Sequence, residues 1–198
     1  EITLYEMAPR LGGRARRVEH DGLALDNGQH ILIGAYTATL SLMARVGADA
    51  GQLLWRTPLC LAFPDGGSFA LPPGAPALAF ARGVWARAGW RWRDRFALLR
   101  IAAGWSLRRF RCTRGLTVAQ LTAELPARVR TELIDPLCVA ALNTPADVAC
   151  ANVFLRVLRD ALLSGPGSAD LLLPRVDLGA LWPDPAAVWL ARAGAEIR

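Results

Sequence analysis

The sequence has no lysine. All 23 basic residues are arginine, which against 17 acids leaves a net charge of +6 over 198 residues. A basic balance suits nucleic acid or an anionic membrane. Here Arg, Ala, Gly and Pro are abundant together, as GC-rich codon usage produces, so only local arginine clusters are informative. Histidine is nearly missing, with two residues, and Cys60, Cys112, Cys138 and Cys150 include no C-x-x-C pair. A zinc site therefore has poor support, and so has a disulfide framework. Four reduced and mostly buried thiols in a reducing compartment are expected. No apolar run reaches the roughly 18 residues of a spanning helix, because arginine interrupts each candidate, Ala75–Gly89 included. With 53% apolar and 20% charged residues, intrinsic disorder is excluded as the main state and a sizeable core can be buried.

The chain opens on an alternating strand, Glu1-Ile2-Thr3-Leu4-Tyr5-Glu6, with no initiator Met and no signal peptide. It closes on a helix from Ala187, then Gly194, then the start of a strand at Ala195–Arg198. A strand at residue one has no preceding partner, so a piece of a longer protein is the expectation. Between these ends, Val18–Leu25 suggests a hairpin turning at Asp21-Gly22. After Asp26-Asn27-Gly28-Gln29-His30, Leu32–Val46 suggests a helix stopped by Gly47. Leu59–Phe63 and Ser68–Leu71 suggest a second hairpin around Pro64-Asp65-Gly66-Gly67. Beyond the linker Leu71–Pro76 the pattern turns helical. Thr117-Val118-Ala119-Gln120 fits a capping box, Pro126 and Pro136 are expected to break the stretch that follows, and Asn152–Leu163 reads as an amphipathic helix with Asn152, Arg156 and Asp160 on its polar side.

The most informative motif is an acid at a strand end, Glu6, followed by Gly12-Gly13-Arg14. In a dinucleotide fold such a carboxylate accepts hydrogen bonds from ribose hydroxyls at the carboxyl edge of a parallel sheet. The glycines let backbone approach a phosphate, and the arginine offers it a charged fork. Taken alone, a solvated carboxylate and a plain turn explain the same residues equally well. The whole string Leu4-Tyr5-Glu6 … Arg10-Leu11-Gly12-Gly13-Arg14-Ala15, with Asp26-Asn27-Gly28-Gln29-His30 after it, resembles the FAD-binding start of the amine-oxidase and phytoene-desaturase superfamily of flavoproteins. Three further stretches narrow the likeness: Pro136–Pro145, Phe154–Asp160 and Asp170–Leu178. With them nearly the whole chain resembles the hydroxysqualene dehydroxylase family, the squalene-associated FAD-dependent desaturases of bacterial hopanoid pathways.

The resemblance implies an α/β fold: a partial FAD-binding Rossmann-like domain at 1–57, a mostly helical substrate domain at 58–165 that opens with a hairpin, and a return segment at 166–198. It implies FAD as cofactor, with Glu6, Gly12, Gly13, Arg14, Gly28, Gln29 and His30 as its contacts, a long-chain isoprenoid substrate, and reductive removal of the hydroxyl of hydroxysqualene to give squalene. Relative to the family, the G-x-G-x-x-G turn and the C-terminal part of the flavin domain are missing. A carotenoid-type desaturase, a generic FAD amine oxidase of the same fold, and a non-catalytic membrane-peripheral scaffold stand as alternatives. No residue is assigned as catalytic. His30 serves better as a structural imidazole than as a proton donor, and Asp135 better as a helix-end carboxylate than as a buried acid. Asn143-Thr144-Pro145 suits a pocket lining or a helix end.

The segment from Trp85 to Arg111 interleaves Trp85, Trp90, Trp92 and Trp105 with eight arginines. Phe96, Leu99, Ala103, Leu107 and Phe110 form one helical stripe, and Leu98, Ile101 and Trp105 an opposite one. Burial in a core is the first reading, a membrane-facing or tunnel-lining role the second, and nucleic acid a distant third. Neither nucleic acid nor metal is expected as a partner. A cytoplasmic protein, peripheral on the inner face of the cell membrane, is the expected location.

Overall fold

A computed structural model describes residues 2–26, 28, 31–63 and 66–198. In chain order the elements are β1 (Thr3–Leu4), β2 (Arg17–His20), β3 (Leu23–Asp26), β4 (Leu32–Ile33), α1 (Thr37–Arg45), α2 (Ala50–Leu53) and β5 (Leu54–Thr57). Then follow β6 (Cys60–Ala62), β7 (Ser68–Ala70), α3 (Pro76–Ala86), α4 (Trp92–Leu107), α5 (Val118–Leu121) and α6 (Ala127–Val129). A π-turn, Arg130–Ile134, leads into α7 (Asp135–Leu142) and α8 (Ala151–Leu163). The chain finishes with β8 (Leu171–Pro174), α9 (Leu178–Leu181), α10 (Pro183–Arg192) and β9 (Glu196–Ile197). Two compact units result: Glu1–Thr57 with Asp170–Arg198, and Pro58–Ala169.

In the first unit β1 pairs in parallel with β9. The opening strand thus finds a partner that follows it, from the far end of the chain. The hairpin at Asp21-Gly22 forms as expected: Arg17 faces Asp26 and His20 faces Leu23, and both turn residues take positive φ. The helix expected from Leu32 starts only at Thr37. Leu32 and Ile33 are instead drawn into a sheet, β4-β8-β5, whose central strand β8 is antiparallel to both neighbours. That pairing is non-local, so local periodicity cannot reveal it. Met43, Ala48, Leu54, Leu172, Leu178 and Leu181 form this unit's buried cluster.

The second unit begins with the expected hairpin, Cys60 opposite Ala70 and Ala62 opposite Ser68; Pro64 and Asp65 of its turn lie outside the described residues. Helix α3 crosses β7 so closely that a Cβ at Gly83 would sit 2.5 Å from the Ala70 carbonyl oxygen. The capping box is present, with Gln120 N–H donating to Thr117 Oγ1 and Thr117 N–H donating to Gln120 Oε1. The segment 85–111 contains a break, α3 ending at Ala86 and α4 starting at Trp92, where Arg91 N–H donates to Asp94 Oδ2. Pro136 does not break its helix. The π-turn one residue before Asp135 shifts the hydrogen-bond register, which accommodates a residue with no N–H and a ring that crowds the preceding turn. Asn143, in the left-handed conformation (φ 49°), ends α7, so the Asn-Thr-Pro stretch serves as a helix end. Asp135 lies in the first turn of α7, as a helix-end carboxylate does. All four cysteines are free, but only Cys138 is buried, and Cys60 and Cys150 are exposed. The expectation of mostly buried thiols is corrected on that point.

Candidate functional site

Two places invite a ligand, one in each unit. In the first unit the chain leaves β1 at Glu6, whose N–H donates to the Arg198 carbonyl at 2.8 Å, continuing the β1–β9 ladder. The half-buried Glu6 carboxylate accepts the Ala8 N–H through Oε1 at 2.9 Å. Its other oxygen has no partner among the described residues. Gly12 and Gly13 follow with φ of +111° and +56°. At Gly12 a Cβ would lie 2.8 Å from the Ala15 carbonyl oxygen and 2.9 Å from Pro183 Cγ. The need for glycine there comes from the chain's own packing, a reason different from the expected approach to a phosphate. At Gly13 no atom lies within 4 Å of the Cβ position, which leaves the backbone open to a group from outside. Arg14 is exposed and makes no ion pair or hydrogen bond to a described residue. Gly28 takes φ +118°, while Gln29 and His30 lie outside the described residues.

Around this loop, two of the motifs singled out in the sequence are joined. Asp26 Oδ1 accepts the Leu178 N–H at 2.8 Å, and Asp177 Oδ1 accepts the Ala180 N–H at 3.0 Å, so the two carboxylates together cap α9. Arg17 on β2 donates Nη1 to both oxygens of Asp177, at 3.1 and 3.0 Å, and reaches Asp184 at 3.6 Å. Burial works to raise the Asp177 carboxyl, but the hydrogen bonds from Ala180 and Arg17, with the arginine's charge, outweigh it and hold the group below the usual carboxylate range. The same contacts raise Arg17 further. This cluster pins β2, β3 and α9, with one arginine held between two carboxylates and the third, Asp26, bonded to a backbone N–H. Arg14, by contrast, has no ion-pair partner among the described residues.

In the second unit a cavity of about 230 Å³ lies among α3, α4, the π-turn with α7, and α8. Its wall is almost wholly apolar and includes Phe80 of α3, Leu133 of the π-turn, Leu137 of α7 and Leu158 of α8. From α4 it takes Leu98 and Trp105 of one sequence stripe together with Leu99 and Ala103 of the other. The two-sided helix therefore lines a cavity as well as a core. Phe110, on the same stripe as Leu99 and Ala103, lines the cavity too, while the wall residues from α3, the π-turn, α7 and α8 were not singled out as cavity lining in the sequence. Glu132 on the π-turn, next in sequence to the cavity-lining Leu133, accepts from Arg87 Nη2, Trp90 Nε1 and Arg128 Nε at 2.8, 2.7 and 2.9 Å. Burial alone would raise its carboxyl, yet these donors hold it below the usual range. The hub ties α3, the α3–α4 connection and the π-turn together. It is structural, since every donor belongs to the chain.

Residues 1–120 match the family model described as flavin containing amine oxidoreductase. The chain belongs to that family. Membership implies an FAD-binding, Rossmann-like fold and brings FAD as the cofactor, in keeping with the mixed helices and sheets described above. Over 99% of its length the chain is also 28% identical to the hydroxysqualene dehydroxylase of Zymomonas mobilis, and it spans 47%, about half, of that protein. The loop of the first unit fits the family's cofactor on its own geometry. It offers a strand-end carboxylate with a spare oxygen, open backbone at Gly13 and an unmatched cation at Arg14. Among the described residues, no group of three or more His, Cys, Asp or Glu could hold a metal ion, and no helix is long and apolar enough to cross a membrane.

Proposed function

We propose that the chain is part of an FAD-dependent oxidoreductase acting on a C30 isoprenoid, which removes the hydroxyl of hydroxysqualene to give squalene. The observation that carries this reading is the almost wholly apolar cavity of the second unit. It is larger than the roughly 150 Å³ void that takes up benzene and smaller than the roughly 300–1,000 Å³ of a drug-sized site. It suits a segment of a hydrocarbon chain rather than the whole substrate. An amine would find no carboxylate there, and a phosphorylated compound no cation. In this reading Glu6 holds the adenosine ribose of FAD and Arg14 a phosphate, with Gly12, Gly13 and Gly28 shaping the backbone around them; Gln29 and His30 complete the set. Reduced FAD, when bound, supplies the hydride. The second unit grips the apolar tail and keeps water from it, each buried methylene being worth about 0.8 kcal/mol. With no acid in the cavity wall, the proton that accompanies loss of the hydroxyl has to come from outside the cavity.

The test is conversion of hydroxysqualene by the purified protein with reduced FAD, followed by chromatography of squalene. Leu158→Trp, which fills the cavity, is expected to cut turnover at least tenfold while leaving flavin absorbance in place. Glu6→Ala is expected to lose charge-assisted hydrogen bonds of roughly 1.5–3 kcal/mol and to shed flavin on gel filtration. A desaturated product would favour the carotenoid-type reading, and full turnover in Leu158→Trp would move the substrate elsewhere.

A further inference from the structure

The second unit has an apolar face that its own core does not use. On α3, Leu78, Arg82 and Trp85 recur at i, i+4 and i+7, and on α4, Trp92, Phe96, Ala103 and Leu107 share one side. All seven are exposed, Trp92 by 65% and Leu107 by 86%. The two sets meet edge to face, the Phe96 ring 6.0 Å from Trp85 and 6.1 Å from Trp92. The Arg95 guanidinium lies over Trp85 at 5.5 Å. Large rings are thus held in a defined cluster while still facing water, at a cost that a covering layer would remove.

The charge of this region has one sign. Residues 76–111 include nine arginines and one acid, Asp94, which is buried and used as the cap of α4. Arg82 and Arg93 are exposed and make no ion pair with a described residue. The face also adjoins the cavity. Ala77, Ala103 and Leu163 line the cavity and are themselves exposed, and Ala103 stands on the same stripe as Phe96 and Leu107. The cavity mouth therefore opens beside the aromatic cluster.

We propose that this face docks on an anionic lipid bilayer, with the arginines at phosphate depth, the tryptophans and Phe96 in the interface, and the cavity mouth turned to the hydrocarbon. Tryptophan and arginine together suit headgroup depth, where a ring buries its body and a guanidinium stays with phosphate. A single strand of nucleic acid needs ring faces free for bases, whereas these rings abut one another and Arg95 covers Trp85. An apolar ligand entering by such a mouth never crosses water. The inference stands on the second unit alone and does not depend on the flavin reading.

The experiment is co-sedimentation of the chain with vesicles of phosphatidylcholine, with and without phosphatidylglycerol. Binding is expected only with the anionic lipid, falling as salt screens the arginines. Arg82→Gln and Arg93→Gln should each weaken it about fivefold, the effect of one cation near an anionic surface. Trp92→Ser combined with Phe96→Ser should weaken it further with an unchanged circular dichroism spectrum and unfolding midpoint. Trp55→Ser, which alters an exposed tryptophan of the first unit, should leave it unchanged. Failure to sediment at low salt overturns the proposal, as does equal loss in Trp55→Ser. A concentration-dependent dimer that Phe96→Ser abolishes, without vesicle binding, would assign the face to a second copy. Tighter capture by a single-stranded oligonucleotide than by vesicles would assign it to nucleic acid.

Discussion

Among the described residues, sixteen buried ones from Phe69 to Leu158 make one apolar cluster in the second unit, against six in the cluster of the first. The first unit leaves much of the apolar surface in and beside its strands facing outward: Ile2, Leu4, Tyr5, Leu23 and Leu25 are all exposed. It holds distant pieces of chain together with polar links instead. Arg17 grips Asp177, Asp26 caps α9, and Arg56 pairs with Asp170 at 3.2 Å. The lesson is that one composition can be spent on cohesion in two ways. Contact between hydrocarbon groups is indifferent to pH, whereas charged links depend on which groups are ionised.

The comparison is most exposed to failure at Phe154, which has no solvent exposure in the larger cluster. Phe154→Ala is expected to destabilise by about 3–5 kcal/mol, read from urea unfolding. A loss below about 1 kcal/mol would mean that the second unit is not held by its core. Next comes Gly83→Ala. Alanine is the better helix former, yet its methyl would meet the backbone oxygen of Ala70 at 2.5 Å. A loss of about 1–3 kcal/mol is expected, and a gain in the unfolding midpoint would show that α3 and β7 can part freely.

The smallest effect belongs to the first unit and sharpens the contrast. Asp177→Ala removes both the Arg17 grip and the cap on Ala180, a change of about 1–2 kcal/mol. Because the folded-state carboxyl lies below its ordinary value, the stability it adds is fully present above the unfolded pKa of about 3.9. It is lost as pH falls through the lower, folded value. In acid titrations followed by circular dichroism, the gap between wild type and Asp177→Ala should therefore close below about pH 4. A gap that persists there would assign the effect to packing.

Local chemistry was legible where a residue type admits few conformations. Asp21-Gly22 turns because Gly22 takes positive φ readily, and Thr117 with Gln120 caps a helix through atoms three residues apart. What the sequence hid was decided at a distance. Leu32-Ile33 reads as helical until β8 arrives to pair with it. Pro136 reads as a breaker until the preceding turn widens. On α4 two stripes are equally apolar, and only packing turns Leu98 and Trp105 inward while Phe96 and Leu107 stay in water. At the candidate flavin loop, Glu6, Gly13 and Arg14 were visible as a pattern, but the crowding of Gly12 by Pro183 and the bond from Leu178 to Asp26 join residues some 150 or more positions apart.

The pairing of β1 with β9 also sets a timetable. Thr3 is opposite Glu196 and Leu4 opposite Ile197, so the opening strand leaves the ribosome long before its partner exists. At about 5–20 residues per second the wait is on the order of 10–40 s. Pro58–Ala169, a continuous stretch, is complete earlier and can collapse first. During that interval Thr3 and Leu4 lack the partner with which they pair in the folded structure.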